Sequence, residues 1–201
     1  MSDNNPLLKT LVIGILFSFV LAAIAAIVIR QAQFSRADLP VLGRVPNFEF
    51  TERSGIPFGK EEMKGSICVV DFIFTNCPSA CPIMSSHISE LYKLYAHSDK
   101  IRFVSISVDP ARDSLRVLQE YAKSHGVTDN RWLFLRAPIE QVITLSEKGV
   151  MLPAENLPMG HSTKLVLVDP NGNIRGYYDG LNDASIAHLK EAIKALAKRM
   201  S

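Results

Sequence analysis

Three cysteines in 201 residues are too few for a disulfide scaffold. They are also one short of the four thiolates that an iron–sulfur cluster usually takes. No basic stripe is present: Lys and Arg are scattered among Asp and Glu, and the net charge is +2. That excludes nucleic acid as the main partner. Internal repeats and low-complexity tracts are absent, which excludes solenoids and extended disorder. Charge is missing altogether from Leu11 to Ile29, between Lys9 and Arg30. A helix over that stretch is roughly 28 Å long, close to the hydrocarbon thickness of about 30 Å. Ala23-Ile24-Ala25 has the spacing of a cleavage site, but the run exceeds the usual secretory core, so an uncleaved anchor is expected. Met1–Asn5 has no Arg and one Asp, unlike a mitochondrial presequence, which favours a bacterial inner membrane. The flanking positive charges do not set the orientation.

The chain then divides into a tail over 1–10, an anchor over 11–29, a polar tether over 30–44 and a domain over 45–201. Val45–Phe50 alternates as a strand, and Arg53-Ser54-Gly55-Ile56-Pro57 turns it into a hairpin. Ile67–Phe74 is the first long apolar run of the domain and suggests a central parallel strand covered on both faces. A helix is expected from about Pro82 to His97, with Ile83, His87, Leu91, Leu94 and Tyr95 on one face. Ile101–Val108 is a strand, Ser114–His125 a helix closed by Gly126, Trp132–Leu135 a strand and Ile139–Glu147 a helix. Lys164–Val168 and Ile174–Tyr178 flank the tight turn Asp169-Pro170-Asn171-Gly172, and Ser185–Lys198 closes the chain as an amphipathic helix. Strands alternating with helices and ending in a hairpin give a mixed α/β sandwich.

Cys77 and Cys81 carry the chemistry. Four residues apart, they can share a helix face with Cβ atoms roughly 5–6 Å apart, within reach of one soft metal ion or of each other. A cysteine at the carboxyl end of a central strand, opening a helix, is held as thiolate by backbone amides and the helix dipole. Pro82 does not suit a regular helix interior, which suggests that the pair occupies a looser turn. His161 could supply a third ligand, although a lone histidine in a loop is more often only hydrogen-bonded. Two thiolates and an imidazole select Cu(I), Cu(II) or Zn. Structural zinc wants four protein ligands, and catalytic zinc accepts Cys₂His plus water. Cys68 reads as a small core hydrophobe. His87 reads as packing, while His97, His125 and His188 read as solvated. Met159 is expected to pack, Asp109 either to orient a neighbour or to cap a turn, and Asp113 to start a helix.

Four segments together resemble the SCO/SenC copper-chaperone family of cytochrome oxidase assembly. They are Asp71-Phe72-Ile73-Phe74-Thr75-Asn76-Cys77-Pro78-Ser79-Ala80-Cys81-Pro82, Ser105–Asp113, Gly160-His161-Ser162-Thr163 and Leu167–Gly172. The similarity covers roughly Val45 to Met200. It implies a thioredoxin-like fold behind an N-terminal transmembrane helix, in a single-pass protein whose domain faces the periplasm. It implies copper on Cys77, Cys81 and His161. It also implies delivery to the binuclear copper site of cytochrome c oxidase subunit II or a related copper protein, or upkeep of that site's thiols. Three other readings use the same pair: a thiol-disulfide oxidoreductase keeping partner cysteines reduced, a peroxiredoxin-type peroxidase, and a structural staple. The peroxidase needs a Thr-to-Cys spacing one residue longer than Thr75-Asn76-Cys77. A staple over so short a loop stabilises little.

Overall fold

The computed structural model describes residues 6–36 and 39–200, and within the first helix the side chains of 12–27. The chain forms two units, Met1–Asp38 and Leu39–Ser201. The first contains helix α1, Pro6–Arg36. Residues 1–5 of the expected tail and 37–38 of the expected tether lie outside the described residues.

The expected membrane span is corrected here. No helix among the described residues is long and apolar enough to cross a membrane. The transmembrane part of the fold assignment, the membrane partner and the single-pass inner-membrane placement all rested on the span over 11–29. They lose their structural basis with it.

The second unit is built on one eight-stranded sheet with the order β1-β8-β7-β4-β5-β6-β2-β3. Strand β1 (Gly43–Arg44) pairs with β8, so residues assigned by sequence to the tether belong to the sheet. The hairpin of β2 (Glu49–Glu52) and β3 (Pro57–Gly59) is antiparallel, as the Gly55 turn suggested. Helix α2 (Lys60–Met63) is a single turn. Strand β4 (Ile67–Ile73) is buried at every position, which is the physical meaning of its unbroken apolar run. It lies parallel to β5 (Ile101–Ser107) and antiparallel to β7 (Lys164–Val168). β5 lies parallel to β6 (Trp132–Arg136). β8 (Asn173–Asp179) returns antiparallel to β7 through a turn in which the Asp169 carboxylate accepts from the Asn171 and Asn173 amides at 2.9 and 3.0 Å. Gly172 sits there at φ +80°, where an L side chain would be strained.

Helix α3 runs Ala80–Leu94 and begins ahead of Pro82. Pro82 is its third residue, where the missing amide would have had no intrahelical acceptor, so the ring is accommodated. Packing against the sheet sets the phase of the helix. Cys81, Met84, Ser85, Ile88, Leu91 and Tyr92 face the core, whereas Ile83 and Leu94, expected on the buried face, point outward. Helix α4 (Leu115–Ser124) is capped by Ser114, whose hydroxyl accepts from the Val117 amide at 3.3 Å. Helix α5 (Ile139–Thr144) continues into a π turn over Leu145–Gly149. Helix α6 (Asp183–Ala197) is capped by Asn182. The mixed sheet with flanking helices is thioredoxin-like, and the β4–α3 junction projects the two cysteines from its centre.

Candidate metal centre

Strand β4 ends at Ile73, and its carboxyl end runs through Phe74-Thr75-Asn76-Cys77-Pro78-Ser79 into α3. The Cys77 amide donates to the Phe74 carbonyl at 3.3 Å, turning the chain over. Cys77 therefore precedes the helix while Cys81 lies in its first turn, so the two do not share a regular helical face. Ser79 occupies the cap position, but its side chain makes no capping hydrogen bond. The Cys77 sulfur takes that place, accepting from the Cys81 amide at 3.4 Å.

This geometry separates the two thiols chemically. Partial burial pushes the Cys77 thiol up, but the amides of Cys81, Ser79 and Ala80 outweigh it and leave the thiol below the ordinary cysteine value. Cys81 is almost completely buried. Burial drives its thiol well above the ordinary value, the Phe74 amide offsets part of this, and the charges of Cys77 and Asp71 add to it. Cys77 is thus the more accessible and more acidic thiol, and Cys81 the buried and less acidic one.

His161 comes from the segment between the π turn and β7. Its backbone bridges Ala154, and the Gly160 amide bonds the Asn156 carbonyl at 3.1 Å. A Cβ on Gly160 would meet the Glu155 carbonyl oxygen at 1.9 Å, so only glycine fits immediately before the histidine. Nδ1 of His161 lies 3.1 Å from the Ser162 carbonyl. A carbonyl can only accept, so Nδ1 carries the proton and the Nε2 lone pair faces the Cys81 sulfur, 3.5 Å away. The Phe74 ring meets the imidazole edge-on at 5.6 Å. Burial lowers the His161 pKa, partly offset by the Ser162 carbonyl, and so favours the neutral ring that a metal ligand requires.

The sulfurs of Cys77 and Cys81 and a ring nitrogen of His161 all lie within 4.8 Å of one another. Among the described residues this is the single Cys/His/Asp/Glu cluster able to hold a metal. Two soft sulfurs and one borderline nitrogen fit copper or zinc and suit magnesium or calcium poorly. The three residues singled out from the sequence are the three that the fold brings together.

Other sequence assignments land elsewhere. Cys68 is fully buried in β4, and burial pushes its thiol up to about 12. His87 bonds the Gly180 carbonyl at 2.9 Å and Asp183 at 3.1 Å, tying α3 to the turn before α6. His125 is not solvated as expected: it packs on Tyr121 at 4.6 Å, and burial lowers its pKa. Met159 is 64 % exposed rather than packed. Asp109 is nearly buried and pairs with Arg112 at 2.9 Å.

Two buried carboxylates escaped the reading of the sequence. Asp71, within the apolar run of β4, accepts from Ser105 Oγ at 2.7 Å, and its other oxygen has no hydrogen-bond partner. Burial raises its pKa to about 7. Asp113 does not cap α4 but turns inward beneath the cysteine loop. A lone aspartate in an apolar strand was the available signal for the first. Nothing local distinguishes the second from a cap.

A thioredoxin-like sheet with a Cys-Cys-His centre at the carboxyl end of its middle strand defines a class of thiol-and-metal proteins. Comparison with known proteins narrows that class. The SCO1/SenC family profile matches residues 43–198, and the chain belongs to that family. It is 30 % identical over 162 residues to the SCO1 protein homolog of Bacillus subtilis (strain 168), covering 78 % of this chain and 84 % of the relative. It superposes with a TM-score of 0.72 on BsSco, a member of the Sco family of cytochrome c oxidase assembly proteins with a disulfide switch. That match is 27 % identical and covers 81 % of this chain and 98 % of the other. Yeast Sco1 with copper bound matches at a TM-score of 0.59 and 25 % identity, over 77 % of this chain and 90 % of the other.

Proposed function

We propose that this chain binds one copper ion through Cys77, Cys81 and His161 and serves as a copper-handling protein in the assembly of a cytochrome oxidase. The observation that carries this reading is the convergence of the three donor atoms within 4.8 Å. Copper is cargo here. A centre with three protein ligands leaves a coordination position through which an acceptor's own thiolates or imidazoles can enter before the donor's ligands leave. Cys77, the more exposed sulfur, is the ligand that releases first, while Cys81 and His161, both buried, hold last. Support for copper comes from the donor chemistry and from the copper-bound relative, and support for oxidase assembly from the Sco-family relative.

The test uses the full-length reduced chain, loaded with Cu(I) and separately with Cu(II), followed by metal analysis beside Cys77→Ser/Cys81→Ser and His161→Ala. One equivalent in the parent, lost in the first variant and weakened in the second, is expected. Copper retained equally by His161→Ala in both oxidation states defeats the three-ligand reading.

The opposite displacement of the two thiols favours a second activity of the same pair. The Cys77 thiolate attacks one sulfur of a partner's disulfide, and the partner's other sulfur leaves as a thiolate. Cys81 then gives its proton to solvent and attacks Cys77, the partner's second thiolate leaving and taking up a proton from solvent, so that the partner departs as a dithiol and a Cys77–Cys81 disulfide remains. Equilibration against a glutathione couple measures the potential. In this chemistry His161→Ala exchanges as well as the parent, so the two activities are separable.

A further inference from the structure

The loop that carries Cys77 is held by little of its own. Between the end of β4 and the start of α3, the one backbone hydrogen bond closing it is that from the Cys77 amide to Phe74. Beneath it lies Asp113, 1 % exposed. One carboxylate oxygen accepts from the Thr75 hydroxyl at 2.6 Å, the other accepts from the Ser107 hydroxyl at 2.5 Å, and both lie 3.3 Å from the Thr75 amide. The Asp113 amide donates to the Asp109 carbonyl at 2.9 Å, and Ser107 Oγ accepts from the Asp109 amide at 3.1 Å. The carboxylate therefore joins three pieces of chain: the loop two residues before Cys77, the carboxyl end of β5, and the turn into α4.

Burying a carboxylate is costly unless its lone pairs are filled, and a helix start needs no buried one. Ser114 already provides the α4 cap, and the Asp113 side chain is engaged by Thr75 and Ser107 instead. We propose that Asp113 is a positioning residue for the metal centre: through Thr75 it fixes the Cys77 sulfur where the α3 amides can bond it and where it converges with Cys81 and His161. This rests on the proposed function for its copper readout but not for its thiol readout. Without the carboxylate, Thr75 and the following peptide lose their anchor. The Cys77 sulfur then loses its position against the Cys81 amide, 3.4 Å away, and its convergence with Cys81 and His161.

The test compares Asp113→Ala, Asp113→Asn and Thr75→Val with the parent in the full-length chain. Two signals are read: the sulfur-to-copper charge-transfer band after Cu(II) loading, and the rate at which Cys77 of the copper-free reduced protein is alkylated by iodoacetamide at pH 7. Expected are a shifted and weakened band and alkylation slowed about tenfold in Asp113→Ala. Thr75→Val, which keeps the amide contact, should show a smaller change, and Asp113→Asn an intermediate one. Thr75→Val carries the test if Asp113→Ala does not fold. A merely structural role lowers thermal stability but leaves the band and the alkylation rate of the folded variants at parental values, and that result overturns the inference. If the parent binds no copper, the function reading fails and the alkylation ratios alone decide the role of Asp113.

Discussion

Cys68 and Cys77 lie on the same stretch of chain, one near the amino end of β4 and the other just beyond its carboxyl end. The fold makes them different reagents. Cys68 is sealed in the interior with only the Met63 and Ser66 carbonyls, at 4.0 and 3.9 Å, near its sulfur; neither can solvate a thiolate, and burial pushes the thiol up to about 12. Around Cys77 the strand has ended, and the first amides of α3 have no carbonyl partners and point at the sulfur. The carboxylates of the two regions follow the same division. Asp71 in mid-strand has one bonded oxygen and one orphan, whereas Asp113 at the strand end has both oxygens bonded. Mid-sheet burial neutralises ionisable groups. Beyond the carboxyl end, where the ladder stops, unspent amides favour the charged form of Cys77, and hydroxyls fill the oxygens of Asp113.

The largest expected effect separates the thiols by function. Cys77→Ser should lower copper affinity at least about 1,000-fold, roughly 4 kcal/mol. Cys68→Ser should leave copper stoichiometry at the parental value. Competition with a copper chelator measures both, and a Cys68 variant that lost its copper would break the division between the two regions.

Next comes Asp71, whose pKa is raised to about 7 in the folded chain against about 3.9 in the unfolded one. The folded state therefore holds a proton that the unfolded state has released between those values. The stability this contributes is complete below about pH 4 and is lost as pH rises through about 7, by up to about 4 kcal/mol. Asp71→Asn should flatten that dependence and be the more stable form at pH 8. Urea unfolding at pH 5 and pH 8 decides it, and a parent with equal stability at both refutes the assignment.

Cys68→Ser should cost about 1–3 kcal/mol of stability, because a hydroxyl replaces a thiol in an apolar site. A chain that tolerated it freely would mean the mid-sheet region is not as dry as its burial indicates. Smallest is the α4 cap: Ser114→Ala should cost about 1 kcal/mol and leave copper and Cys77 alkylation unchanged. That variant is the control for Asp113, its neighbour in sequence, since it perturbs the same helix start without touching the loop.

What could be read from the chain alone follows from local periodicity and spacing. The seven buried positions of β4 appear as an unbroken apolar run, the β7–β8 hairpin as Asp-Pro-Asn-Gly between two apolar runs, and the Cys-x-x-x-Cys pair as itself. His161 was recognisable by resemblance. Its spacing from the cysteines is arbitrary, because a loop from across the sheet delivers it. Local pattern failed where a tertiary partner sets the answer. The face of α3 that packs on the sheet is that of Cys81, Met84, Ile88 and Leu91, which leaves Ile83 outward. Asp113 looks like any residue before a helix until Thr75 and Ser107 are placed over it. The apolar run at the amino end suggested a membrane span that no helix among the described residues is long and apolar enough to make. The sequence by itself determined which residues could bind a soft metal and which strand would lie at the centre. Only the tertiary structure decided which thiol is acidic, which histidine nitrogen is free and which carboxylate holds the loop, because each depends on hydrogen-bond partners and burial contributed by segments far apart in the chain.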